Sequence, residues 1–138
     1  GDEDKRRTLE AITHPLIRDR ARAELAAIEA AAPADQIVVY SIPLLVETNS
    51  DLPFDAVVTV EAPQEKQVER MVKHRGMTGE AALRRIASQS TPVLRAARAD
   101  VILSSNQDLA LLLRDAEAAY RDFERMATAK AEQQGAGE

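Results

Sequence analysis

The 138-residue chain predicts an α/β fold with a parallel sheet. Three short β-branched runs, residues 36–40, 56–60 and 100–105, are interleaved with longer segments of helical periodicity. The first two runs are continuously apolar rather than alternating, the pattern of strands covered on both faces of a parallel sheet. Alanine, the strongest helix former, is abundant between the runs. The order reads αβ, βα, αα, βα. Three short strands make a thin sheet, so the prediction is part of a doubly wound domain that lacks a central strand.

Residues 1–7 are a polar entry. From Thr8 to about Ala32 the pattern is helical: Leu9, Ile12 and Leu16 recur at three and four, and Ala21, Leu25 and Ile28 continue the stripe. Pro15 predicts a kink or two abutting helices, and Pro33 closes the segment. QIVVY (36–40) predicts a strand, and SIPLLVE after it a proline-containing loop. Residues 47–55 predict a loop and AVVTV (56–60) a second strand. Pro63 fits the first helical position, where its missing N–H loses no bond. That helix runs to about His74, and Gly76 ends it. Thr78 caps a helix over 79–88, and Thr91-Pro92 opens a short one to about Ala99. DVILSS (100–105) is the third strand. Ser105 or Asn106 caps a long last helix, with Leu109, Leu112, Leu113, Ala116, Tyr120 and Phe123 forming a core-facing stripe. Gln133 to Glu138 is a frayed tail.

Composition narrows the function. The chain is 45% hydrophobic and 30% charged, as a folded, soluble protein is. A net charge of −5 argues against a general nucleic-acid binder or a membrane-surface protein. The absence of cysteine removes disulfides, thiolate metal sites and Cys nucleophiles. His14 and His74 are too far apart for a local metal motif, and no metal site is expected. At 3%, aromatics are too few for a base-stacking platform. No apolar run approaches the ~20 residues of a membrane span. The charged first residues have no apolar stretch behind them, so no signal peptide is expected and a cytoplasmic location is. Gly1, Gly76, Gly79, Gly135 and Gly137 build neither GxGxxG nor GxxxxGK.

One segment inverts the overall charge. Between Lys66 and Arg98 lie eight basic residues (Lys66, Arg70, Lys73, Arg75, Arg84, Arg85, Arg95 and Arg98) against Glu69 and Glu80, a net +6. One reading is a phosphate clamp, because the arginine fork matches phosphate oxygens and stays charged. The other is a solvated helix face with Glu69–Lys73 and Glu80–Arg84 pairs. Glu47 follows the first predicted strand, where ligands collect in open α/β sheets. Its alternative role is to cap Asn49 or Ser50. Asp100, which opens a strand, reads as structural. His14, without a triad-like partner, reads on its own as an ordinary surface or core histidine.

Several segments gain meaning together. LEAITHPLI (9–17), IPLLVE (42–47), VERMVKHRGMT (68–78), RRIASQ (84–89) and Ala99-Asp100 before a strand resemble, in this order, the dephospho-coenzyme A kinases, particularly actinobacterial ones. The resemblance spans about residues 8 to 120. It implies a P-loop, nucleoside-monophosphate-kinase-like three-layer fold, of which this chain is the C-terminal part. By that resemblance residues 1–35 are a helical acceptor-binding region and 36–65 core strands with their loop. Residues 66–99 are a helical lid, 100–130 the last strand and helix, and 131–138 a flexible tail. The implied activity is transfer of the ATP γ-phosphate to the ribose 3′-hydroxyl of dephospho-coenzyme A, with Mg2+ in the complete enzyme. His14 and Pro15 fall in the acceptor-binding helices, and Leu44, Leu45 and Glu47 in the loop bordering the acceptor. Arg75 and Arg95 match lid positions that reach the ATP phosphates, with Arg98 nearby.

The family's glycine-rich phosphate loop is absent from the chain. Ser41 stands where the family often has an acid, and 104–107 reads Ser-Ser-Asn-Gln in place of an Asp-Asn-Gly-like turn. This chain alone is therefore expected to bind neither ATP nor Mg2+ tightly and to be inactive. Its incomplete sheet invites self-association. The alternative is a non-catalytic remnant that binds a coenzyme A-like ligand or a partner protein.

Overall fold

Two of the three β-branched runs pair. In the computed structural model, which describes residues 2–48 and 52–136, β1 (Val58–Glu61) and β2 (Val101–Ser104) form a two-stranded parallel sheet. Val58 lies opposite Val101, and Glu61 opposite Ser104. Helices α2 (Gln64–Arg75), α3 (Gly79–Ala87) and α4 (Pro92–Arg98) connect the strands. The remaining helices are α1 (Glu3–Ala31) and α5 (Leu109–Gly135). The chain divides into two units, Gly1–Val38 with Glu124–Glu138, and Val39–Phe123.

The first unit contains α1, one unbroken helix that begins five residues before the predicted start and passes through Pro15. Asp2 caps it by accepting the Lys5 N–H at 3.2 Å, and Glu3 and Asp4 suit the positive end of the helix dipole. Proline removes one donor, toward the carbonyl of Ala11, and costs ~3 kcal/mol. Across 29 residues, that loss is spread over a helix laced with pairs such as Arg20–Glu24 at 2.8 Å.

The second unit holds the sheet and the short helices. Thr78 and Thr91 cap α3 and α4 as predicted, accepting from the Ala81 and Leu94 amides. Pro63 occupies the N-cap of α2, one position earlier than expected, with extended ψ of 147°. Gly76 ends α2 in the left-handed region at φ 62°, where a Cβ would be strained. Ser105 and Asn106 do not cap α5; the Asp108 carbonyl accepts the first helical bonds, from Leu111 and Leu112. Helix α5 also runs on to Gly135, into the first half of the tail predicted to fray; residues 137 and 138 lie outside the described residues.

Two expectations are corrected. Residues 36–40 form no strand, and Val39 is 82% exposed. A strand needs a hydrogen-bonding neighbour, and this run has none among the described residues. The α5 stripe is only partly covered: Leu109 is 68% exposed and Leu113 and Tyr120 are exposed, whereas Leu112, Ala116 and Phe123 are half-buried. Two strands ~5 Å apart cannot cover a helix that rises ~1.5 Å per residue over seven turns. Among the described residues few apolar side chains are buried: Ala21 in the first unit and Leu52, Val57, Ala82 and Ala119 in the second. The middle of the predicted 47–55 loop, residues 49–51, lies outside the described residues.

Thr59 carries a buried hydroxyl without a hydrogen-bond partner. Such a group costs ~1–3 kcal/mol of desolvation, and valine has the same shape without it. Thr59→Val is expected to raise the denaturation midpoint of this chain. A lower midpoint would show that the hydroxyl is satisfied in solution.

Candidate functional site

The carboxyl end of β1 is where the chain concentrates its polar contacts. The α4 start is fixed locally, by the Thr91 cap and by Pro92 at the first position. Arg95, one turn further, then reaches the end of β1. Its Nε donates to Glu61 Oε1 at 2.8 Å, its Nη2 to Glu61 Oε2 at 2.6 Å, and its Nη1 to the Ser90 carbonyl. Both side chains of the pair are 21% exposed. The Glu61 hydrogen bond raises the Arg95 guanidinium above its ordinary pKa; burial opposes this, and the Glu61 and Glu47 charges reinforce it.

Ser90 is also tied from the other side. Glu47 lies within a turn in which the Thr48 N–H donates to Leu44 O at 3.0 Å. Its Oε1 accepts the Ser90 N–H at 2.6 Å. Partial burial pushes the Glu47 carboxyl up, but the Ser90 hydrogen bonds and the Arg95 charge outweigh it, leaving the pKa lowered. A depressed carboxylate contributes stability that is complete above its unfolded value, ~4.3, and is lost as pH falls through the folded value. Glu47→Gln should therefore loosen the 42–48 turn near neutral pH and flatten the acid limb of stability. An unchanged acid limb in urea melts would remove this contact from the account. The proposed cap partners Asn49 and Ser50 lie outside the described residues.

A second feature flanks the same strand ends. A groove of about 380 Å³ runs between α2, with Lys66, Arg70, Lys73 and His74, and the turn at 105–108. Arg70 crosses it, donating to Ser105 Oγ at 3.0 Å and to the Ser105 carbonyl at 2.5 Å. Ser105 N–H in turn donates to the Glu61 carbonyl at 2.8 Å. Glu61 thus joins both features, its carboxylate holding Arg95 and its carbonyl holding Ser105. Its lining mixes charges: Lys66, Arg70 and Lys73 face Glu69 and Asp108, and Lys66 pairs with Glu69 at 2.9 Å.

Of the residues singled out from the sequence, the structure brings together Glu47 and Arg95, through Ser90. Arg75 is the exposed last residue of α2 and Arg98 the exposed last residue of α4; neither has an ion-pair partner among the described residues. Leu44 is exposed and Leu45 half-buried in the turn before Glu47. His14 is half-buried and Pro15 exposed on α1, within the first unit. No three His, Cys, Asp or Glu side chains converge among the described residues. No helix among them is long and apolar enough to cross a membrane. Glu61 and Ser90 were not singled out from the sequence; Arg70 entered only as one of eight basic residues, and Ser105 only as a helix cap and in the 104–107 turn. The rule that favours Glu47, a polar residue where a strand ends, applies equally to Glu61.

Known proteins resemble this chain along most of its length. A family profile described as dephospho-CoA kinase matches residues 1–110. A dephospho-CoA kinase of Streptomyces avermitilis is 40% identical over 109 residues, 79% of this chain and 51% of the relative. One from Leifsonia xyli is 38% identical over 120 residues, covering 87% and 60%. One from Frankia casuarinae is 36% identical over 131 residues, covering 95% and 55%. The chain thus spans about half the length of these curated relatives. With a profile match across 110 of its 138 residues, the chain belongs to the dephospho-CoA kinase family.

Proposed function

We propose that this chain is the acceptor-binding and lid portion of an enzyme that transfers the ATP γ-phosphate to the 3′-hydroxyl of dephospho-coenzyme A. The observation that carries the reading is the +6 segment, 66–98, folded as three short helices between two parallel strands, with Arg95 fixed at the carboxyl end of β1. In phosphoryl transfer the protein chiefly positions the groups and stabilises spreading negative charge. Arg95, Arg75 and Arg98 suit that task, as charged forks that cannot be deprotonated. The groove beside Arg70 would take the nucleotide of ATP. Glu47, Leu44 and Leu45 match the family's acceptor-bordering loop, and His14 and Pro15 match its acceptor-binding helices.

The backbone cradle for the phosphates, and the Lys and hydroxyl that go with it, lie outside these residues, which contain no GxxxxGK. The complete fold in this reading is the three-layer P-loop kinase, and the chain alone is not competent. The test is the intact mass of the natural gene product together with its activity. We expect a mass well above 15.1 kDa, a glycine-rich loop in the added part and ATP-dependent phosphorylation of dephospho-coenzyme A. A mass matching this chain, with ATP-independent binding of dephospho-coenzyme A, would replace the enzyme by a binding remnant. In the active enzyme Arg75→Ala should lower turnover about 10-fold or more while leaving the melting temperature unchanged, because that side chain is exposed at the end of α2 with no partner among the described residues.

A further inference from the structure

We infer that Glu61 is the positioning residue for Arg95, setting the guanidinium for an anionic ligand; the inference rests on the phosphate-facing role proposed above. The two side chains meet in a fork-to-carboxylate pair at 2.8 and 2.6 Å, and each is largely shielded from water. Exposed ion pairs in this chain, such as Lys5–Asp2 and Arg20–Glu24, join residues three or four apart on one helix. Glu61–Arg95 instead spans 34 residues and joins α4 to the strand end. Arginine has five N–H donors. Glu61 takes two and the Ser90 carbonyl one, so two remain for a ligand.

A loose arginine must give up side-chain freedom on binding, whereas one already held keeps more of the binding energy. Ser90 adds a second fixed point: its carbonyl accepts from Arg95 while its N–H donates to Glu47. The guanidinium is therefore located by the strand, by the connection between α3 and α4, and by the turn that contains Glu47. A competing arrangement, in which Glu61 masks Arg95 and must be displaced, makes the opposite prediction for affinity.

The test compares the natural gene product with its Glu61→Gln and Glu61→Asp forms. ATP affinity is measured by titration, and the Arg95 Nε–H resonance is followed by NMR. In the unsubstituted protein that resonance should exchange slowly and shift as ATP is added. Glu61→Gln keeps the shape but loses the charge; it should speed the exchange and weaken ATP binding about 10-fold. Glu61→Asp should recover part of both, and dephospho-coenzyme A affinity should stay within twofold in all three. Unchanged ATP affinity in Glu61→Gln would reduce the pair to a structural staple, and tighter binding would make Glu61 a mask. Either result overturns the inference. A protein that shows the expected ATP behaviour but forms no phosphorylated product overturns the proposed function and leaves the positioning role standing.

Discussion

In the enzyme proposed above, replacing Arg95 with alanine is expected to lower ATP-dependent phosphorylation of dephospho-coenzyme A by about 100-fold or more and also to destabilise the protein. Both losses follow from one set of contacts. Removal of the guanidinium takes a fixed positive fork from the strand ends, where the transferring phosphoryl group would develop charge. It also leaves the Glu61 carboxylate, 21% exposed, and the Ser90 carbonyl without their partner. An abandoned charge in that setting costs about 1–3 kcal/mol, less than a fully buried one because water still reaches it. Arg95→Lys separates the two effects. Lysine keeps the charge but cannot fork onto both carboxylate oxygens, so stability should return in part while the ATP Michaelis constant stays raised. Paired measurements of turnover and melting temperature decide the matter. Near-normal turnover in Arg95→Ala would remove the residue from the phosphate site, whatever happens to stability.

The contrast with Arg75 shows why charge counting could not rank these residues. Both lie in the same +6 segment, and both match lid positions of the family by resemblance. One ends α2 in solvent, whereas the other is locked to a carboxylate 34 residues away. Local chemistry was legible: Thr78, Thr91, Pro92 and Gly76 mark helix ends because caps and turns depend on a few neighbouring residues. The two paired strands were legible for the same reason, since each is a short β-branched run closed by polar residues. What depends on a distant partner was not. QIVVY has strand composition, but no strand lies beside it among the described residues. The α5 stripe has the right period, but a period says only that a face can be buried, not that a layer exists to bury it. Pro15 predicts a break, but a long helix absorbs one lost bond. Glu61 lies just past the predicted strand 56–60, and nothing local in its sequence points to an arginine 34 residues away.

Asp100→Ala is expected to be the most damaging single change to the small sheet. Val57 is 5% exposed and precedes β1, so its N–H lies beyond the ladder and out of reach of water. Asp100 answers it from the other strand: its Oδ2 accepts the Val57 N–H at 2.7 Å, while its own N–H donates to the Val57 carbonyl at 2.8 Å. The carboxylate thus extends the pairing of β1 and β2 by one more rung, and it makes the structural reading of this residue the one the geometry supports. Alanine keeps the backbone bond but orphans a buried donor. Together with the lost charge-assisted bond, this costs about 2–3 kcal/mol. Asparagine retains an acceptor oxygen without the charge and should lose roughly half as much. Denaturation midpoints of the three forms, with amide exchange at Val101 and Leu103, measure the effect. An unchanged midpoint and unchanged protection in Asp100→Ala would mean that the register of this sheet is set by apolar contacts between the strands. The expected result would mean that a single carboxylate fixes how β2 meets β1, and so fixes the strand end on which Glu61 and Arg95 meet.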